Sequence, residues 1–155
     1  MRILVTSDTH GDSARLRRAV LAQPQAEAVI HLGDGAEEAE QVRRAFLKKA
    51  FYQVKGNCDW GSSLPDEAEL ELEGVKIFYT HGHLYGVKSG DGAVLAEAGK
   101  RGAQVLLFGH THQARADYQD GLYILNPGRL SGYEPSYGTI DITPQGVVLN
   151  IVKTS

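Results

Sequence analysis

The chain has 155 residues, 42% of them apolar and 23% charged, a balance that excludes intrinsic disorder and a fibrous fold. Its net charge of −3 comes without any basic block, which argues against a nucleic-acid partner held by phosphate neutralisation. One cysteine, Cys58, allows no internal disulfide, and neither an 18-residue apolar run nor a secretory signal is visible, so a cytoplasmic protein without a membrane partner is expected.

In chain order, Arg2 to Val5 is an apolar run of the kind that forms a strand buried on both faces, ending in Thr6-Ser7-Asp8. Asp12 or Ser13 then caps a helix that places Leu16, Ala19 and Val20 on one side and stops near Pro24. Ala28 to Leu32 is the second strand, ending in Gly33-Asp34-Gly35. A second helix, Ala36 to Lys48, carries acidic residues at its start and lysines at its end, as the helix dipole favours. Phe51 to Val54 is the third strand. Glu67 to Glu73 alternates with Ala68, Leu70 and Leu72 inward, and Gly74 turns it into Val75 to Tyr79. A helix from Gly92 to Lys100 leads to the buried strand Val105 to Phe108. Two further hairpins follow, Arg115–Tyr118 with Leu122–Leu125 and Gly138–Ile142 with Val147–Val152. The pattern predicts one α/β domain spanning 1–155, with a βαβαβ first half, a more antiparallel second half, and two packed sheets with helices outside.

Ligands in open α/β sheets bind where loops leave the strand ends. Past the first strand stand Asp8 and His10; past the second, Asp34; past the third, Asn57. His81 and His83 follow Val75–Tyr79, and His110 and His112 follow Val105–Phe108. Imidazoles and carboxylates without a thiolate set point away from a structural zinc site. Asp8, His10, Asp34, Asn57, His81, His110 and His112 are too many ligands for one ion and suit two. Glycines 11, 33, 35, 56, 82 and 109 lie beside them and let the backbone approach closely. Several positions also have a plainer reading: Asp34 as a helix cap, Asn57 and Asn126-Pro127-Gly128 as turns, and His31 as a satisfied core residue or one that supports the ligands from behind.

The blocks Asp8-Thr9-His10, Gly33-Asp34, Gly56-Asn57-Cys58-Asp59, His81-Gly82-His83 and Gly109-His110-Thr111-His112 resemble, in order, those of the calcineurin-like metallophosphoesterase superfamily, and within it the small single-domain phosphodiesterases. The resemblance implies a four-layer αββα sandwich with two mixed sheets. It also implies two divalent ions: the first held by Asp8, His10, Asp34 and His112, the second by Asp34, Asn57, His81 and His110, with Asp34 bridging. Mn²⁺ is the expected metal, with Fe²⁺, Ni²⁺ and Zn²⁺ also suited to these donors. A hydroxide between the ions would attack a small-molecule phosphate ester, with no protein nucleophile. Asp34, Asn57, Cys58, Asp59 and His83 are the residues expected to shape catalysis. The chain departs from larger members at Cys58, where they carry a histidine paired with the following acid. A thiol is no substitute for imidazolium as a general acid near pH 7, which leaves His83 or Arg129 to supply positive charge. The alternative is a scaffold of the same fold, as in the retromer subunit, engaging a protein partner. Apolar positions in Val75–Tyr79 and the last hairpin, with no helix evident to cover them, lead to the expectation of a homodimer or homotetramer.

Overall fold

The computed structural model describes all residues, Met1–Ser155. Its apolar runs become parallel strands: β1 (Arg2–Thr6), β2 (Ala26–His31) and β3 (Ala50–Gln53), joined by α1 (Ser13–Ala22) and α2 (Ala36–Ala45). The second half supplies β4 (Glu67–Leu72), β5 (Val75–Thr80), α3 (Gly92–Lys100), β6 (Val105–Phe108), β7 (Arg115–Gln119) and β8 (Leu122–Asn126). The chain closes with β9 (Ser136–Thr143) and β10 (Gly146–Lys153). Two five-stranded sheets result, ordered β10-β9-β1-β2-β3 and β4-β5-β6-β8-β7. Each has three parallel strands, extended by antiparallel ones.

Period-two alternation sorts the side chains into three apolar layers. Ile3, Val5 and Ile30 of the first sheet meet Ile77, Tyr79 and Leu107 of the second in a core between the sheets. Their neighbours point outward: Leu4 and Val29 pack under Leu16 and Val20 of α1 and Ala39 and Val42 of α2. Phe78, Leu106 and Ile124 pack under Val94 and Ala98 of α3. Strands covered on both faces are uniformly apolar for this reason. Each such side chain removed from water contributes about 1.5–3 kcal/mol. The layers are the expected αββα sandwich.

Two details differ from the sequence reading, and one alternative it left open is decided. Helix α2 stops at Ala45 rather than Lys48, because Phe46 leaves helical geometry and packs against the core under α1 and α2. Arg43 and Arg44 thus form its basic last turn, while Lys49 donates to the carbonyls of Gln23, Pro24 and Ala26 and ties down the approach to β2. Asp12, not Ser13, caps α1, accepting from the Arg15 N–H at 3.0 Å. Finally, β5 is covered on both faces, between the sheets and beneath α3, so α3 supplies the cover that the sequence reading did not find for its apolar positions. In the last hairpin Val148 alone among the large apolar residues is exposed. No helix is long and apolar enough to cross a membrane.

Candidate metal centre

All six parallel strands end at one crevice. Strand β1 delivers Asp8 and His10, β2 Asp34, and β3 Asn57 from the first sheet; β5 delivers His81 and His83, and β6 His110 and His112, from the second. Strand β8 ends in Asn126, whose amide braces the β6 loop by donating to the Gly109 carbonyl and the Thr111 hydroxyl.

The seven candidate ligands come together. His10 Nε2 and His112 Nε2 lie 3.4 and 3.2 Å from Asp8 Oδ1. His81 Nε2 lies 3.3 Å from Asp34 Oδ2, 3.1 Å from Asn57 Oδ1 and 3.1 Å from His110 Nδ1. The two groups are joined through Asp34, whose Oδ2 is also 3.8 Å from His10 Nε2. Two of the ligand trios that could grip an ion are Asp8-His10-His112 and Asp34-His81-His110.

The proton positions tell what the cluster is built to hold. His81 Nδ1 is 2.7 Å from the Leu32 carbonyl, which only accepts, so that nitrogen carries the hydrogen. In the neutral ring Nε2 is then a lone pair, aimed at Asp34 and Asn57 oxygens that are lone pairs as well. Acceptors facing acceptors repel unless a proton or a cation stands among them, and a histidine fixed by donation to a carbonyl is the usual form of a metal-bound one. The donor set therefore fits divalent cations. Burial disfavours charge on His81, but Asp34 and Asp8 outweigh it and raise its pKa. Burial also opposes charge on Asp34, yet the His81 hydrogen bond, the Cys58 N–H and the nearby histidines hold its carboxyl far below the usual range. Burial, followed by the charge of His81 and Lys88, brings His110 down to about 4, which keeps its lone pair free.

This convergence is strained. Asp8, His10, Asp34, His110 and His112 all have positive φ, between 43° and 68°. Left-handed backbone costs a non-glycine residue on the order of 1 kcal/mol or more, and such strain gathers at functional sites. Hydrogen bonds hold it: Asp8 N–H to the Gly33 carbonyl, His10 N–H to the Asp34 carbonyl, and the Ser131 hydroxyl to the Asp8 carbonyl at 2.7 Å. Three glycines beside the cluster are needed for space and not for φ: Gly35, where a Cβ would stand 1.9 Å from Thr9 Oγ1, Gly56 and Gly109. A Cβ on Gly56 would stand 2.1 Å from Asp34 Oδ1, and one on Gly109 would stand 2.2 Å from Ser7 Oγ.

The remaining expected residues surround the cluster. Cys58 donates its N–H to Asp34 Oδ1 at 2.8 Å, and burial and Asp34 raise its thiol pKa, so it remains a thiol. The Asp59 carboxylate accepts four backbone N–H groups, from Asp34, Gly35, Ala36 and Gly56, and so fixes the loop under Asp34. His83 lies against His81 and His110, with ring centroids 5.3 and 6.1 Å away. Burial and the charge of His81 lower its pKa, so it offers no standing positive charge. The Arg129 guanidinium donates twice to the Tyr133 carbonyl, within its own loop. Asp34 is not the α2 cap; Gly35 holds that place.

The sequence reading missed a buried chain behind His10. Gly33 N–H donates to His31 Nδ1, which leaves the His31 proton on Nε2 to donate to the Thr9 hydroxyl at 3.0 Å. That hydroxyl donates to Glu38 Oε2 at 2.9 Å, and the Gly11 N–H reaches the same oxygen. The only signal in the sequence is that Glu38 stands one helical turn before Val42, on the buried side of α2.

A family model for the calcineurin-like phosphoesterase superfamily domain matches residues 1–145. The chain belongs to that superfamily. It is 35% identical over 131 residues to the probable metallophosphoesterase YsnB of Bacillus subtilis, covering 84% of this chain and 75% of that one. It is 28% identical over 166 residues to the phosphodiesterase MJ0936 of Methanocaldococcus jannaschii, covering 92% of each. The crystal structure of a predicted phosphoesterase from Streptococcus pneumoniae matches 98% of this chain and 88% of that one, with a TM-score of 0.84 at 28% identity.

Proposed function

We propose that the chain hydrolyses small phosphodiesters with two divalent metal ions, the first held by Asp8, His10, Asp34 and His112 and the second by Asp34, Asn57, His81 and His110. The observation that carries this reading is the lone-pair cluster around His81 Nε2, joined to the Asp8 group through the Asp34 carboxylate. Two bound cations lower the pKa of water toward neutrality and offset charge on phosphate oxygens. The protein's own part is positional. Leu32 fixes the His81 ring, Asp59 fixes the Asp34 loop, and Ser7 and the His110 N–H fix the Asp8 carboxylate. Five cluster residues held in left-handed backbone are strain of the kind that gathers at functional sites, which favours the enzyme reading over a partner-binding one.

The diester preference rests on Cys58 and on the kinship with a named phosphodiesterase. With a raised thiol pKa and a neutral His83, no strong acid stands ready for a poor leaving group. A diester also brings one negative charge where a monoester brings two. The test is metal analysis with hydrolysis of bis(4-nitrophenyl) phosphate, after chelation and after reloading with Mn²⁺, Fe²⁺, Ni²⁺ or Zn²⁺. Two ions per chain, loss of turnover in chelator and recovery with metal are expected. Asp34→Asn is expected to cost more than any other single ligand change; full turnover with both ions retained would remove the bridging role. Cys58→His is expected to raise cleavage of alkyl monoesters, by up to the 10²–10⁴-fold typical of general acid catalysis. Equal leaving-group sensitivity in both proteins would assign the acid elsewhere.

A further inference from the structure

We propose that the cleft beside the metal ligands is a subsite for one arm of the diester, selecting a flat aromatic arm without negative charge, and that Trp60 is the residue that stacks on it. The proposal deepens the phosphodiester reading above and rests on it. A cleft of about 760 Å³ includes His10 and Asp34 in its wall, so it opens directly from the ligand cluster, and Cys58 and Trp60 continue that wall outward.

Trp60 is 91% exposed, and burying a large aromatic surface is normally favourable. Its loop is nevertheless fixed. Asp59, its immediate neighbour, takes four backbone N–H groups, the Asp59 N–H donates to Gly56, and the Ser62 N–H donates to the Asp59 carbonyl. An indole presented to solvent on an anchored loop, in the wall of a cleft that reaches the reacting centre, is a preorganised stacking surface.

The charge of the cleft sets the second half of the proposal. No lysine or arginine lines it. Of the carboxylates beyond Asp34, Asp59 is engaged by backbone N–H groups, Glu38 by Thr9 and Gly11, and Glu40 by Arg43 and Arg44. Glu37 has neither a hydrogen bond nor an ion pair, so its charge faces whatever enters. Gln53 also lines the cleft, and its amide oxygen has no partner, which offers a hydrogen bond to a donor on the arm. An arm carrying a carboxylate or a further phosphate would meet acceptors and negative charge with nothing to neutralise it.

The experiment uses the Zn²⁺-loaded protein and three stable ligands: phenylphosphonate, methylphosphonate and 4-carboxyphenylphosphonate. Affinities come from calorimetry, and stacking is read directly from intrinsic fluorescence, because Trp60 is the only tryptophan. Phenylphosphonate is expected to bind roughly 5- to 100-fold more tightly than methylphosphonate, the range of ring stacking on an aromatic side chain, and to shift the Trp60 emission. Trp60→Ala is expected to erase that ratio while leaving methylphosphonate affinity unchanged, and Trp60→Phe to restore part of it. The carboxylated ligand is expected to bind more weakly than phenylphosphonate, and Glu37→Gln to narrow that difference. Equal affinity for phenyl and methyl ligands in the native protein, or an undiminished phenyl advantage in Trp60→Ala, overturns the subsite and leaves the phosphodiesterase reading standing. Failure of metal-loaded protein to bind any phosphonate, together with no hydrolysis of bis(4-nitrophenyl) phosphate, overturns both.

Discussion

Asp34 is placed by its neighbours as much as by its own strand. Its backbone is left-handed, one carboxylate oxygen takes the Cys58 N–H, and the other faces His81 and His10. Gly56 touches it from below, so Gly56→Ala is expected to displace the carboxylate. Overpacking of this kind costs about 1–3 kcal/mol of stability. Metal titration should show a larger relative effect on affinity than denaturant titration shows on folding; unchanged affinity for both ions would mean that the loop yields without moving Asp34. Glu38 acts at one remove, through Thr9 and Gly11 on either side of His10. Glu38→Gln is expected to weaken the ion at Asp8, His10 and His112 by about 10–100-fold, the usual effect of losing an outer hydrogen-bond partner, with less effect on the ion at His81. Equal weakening at both sites would reduce Glu38 to a general stabiliser. The residues that cluster here were legible in the sequence, because each follows an apolar run. The left-handed backbone of five of them was not, since local sequence leaves aspartate and histidine several loop conformations and the folded hydrogen bonds select this one.

The anion at the start of α2 comes from outside the helix. Gly35 holds the cap position without a side chain, and Asp59 reaches across from the loop after β3 to accept the N–H groups of Gly35 and Ala36. It serves as a cap and also complements the helix dipole. Asp59→Ala is expected to cost about 1.5–3 kcal/mol, the range for hydrogen bonds to a charged group, and to lower the melting temperature by about 2–4 °C for each kcal/mol. A melting temperature within one degree of the native protein would show that water replaces the carboxylate at no cost. A cap 24 residues distant from the N–H it satisfies is invisible to local pattern reading, which looks for it one position before the helix. The same blindness put the end of α2 at Lys48: the charge order was right, but Arg43 and Arg44 carry it, and a core contact of Phe46 decides where the helix stops. Strand patterns fared better. Continuous apolar runs marked the buried parallel strands, and the Glu67–Glu73 alternation marked a half-exposed one, since Ala68, Leu70 and Leu72 do pack against the inter-sheet core.

Taken together, the histidines are expected to make the metal-free fold acid-sensitive. Burial lowers the pKa of His31, His83 and His110 below 6.5, His110 to about 4. Between those limits the unfolded chain binds more protons than the folded one, so stability is fully present above pH 6.5 and is lost as pH falls through the folded values. His81 works in the opposite sense: its raised pKa contributes stability below 6.5 that disappears as pH rises through the folded value. Three groups against one should leave a net loss on acidification. The urea midpoint of chelated protein is expected to fall from pH 7 to pH 5, and His31→Gln to flatten the slope. A midpoint that rises over that interval would mean that His81 dominates.

The order of strands also sets when the centre can exist during synthesis. Residues 67–126 form the whole second sheet as one uninterrupted stretch, inserted between β3 and β9. The first sheet straddles it: Arg2 of β1 pairs its guanidinium with Asp141 of β9, 139 positions later. A chain emerging from the ribosome therefore carries Asp8, His10, Asp34 and Asn57 on an incomplete sheet until β9 has emerged to pair with β1. Late long-range pairing of this kind slows folding. Ions gripping ligands from both sheets would act as a clasp across the interface, and their retention would report that β9 had closed the first sheet against the second.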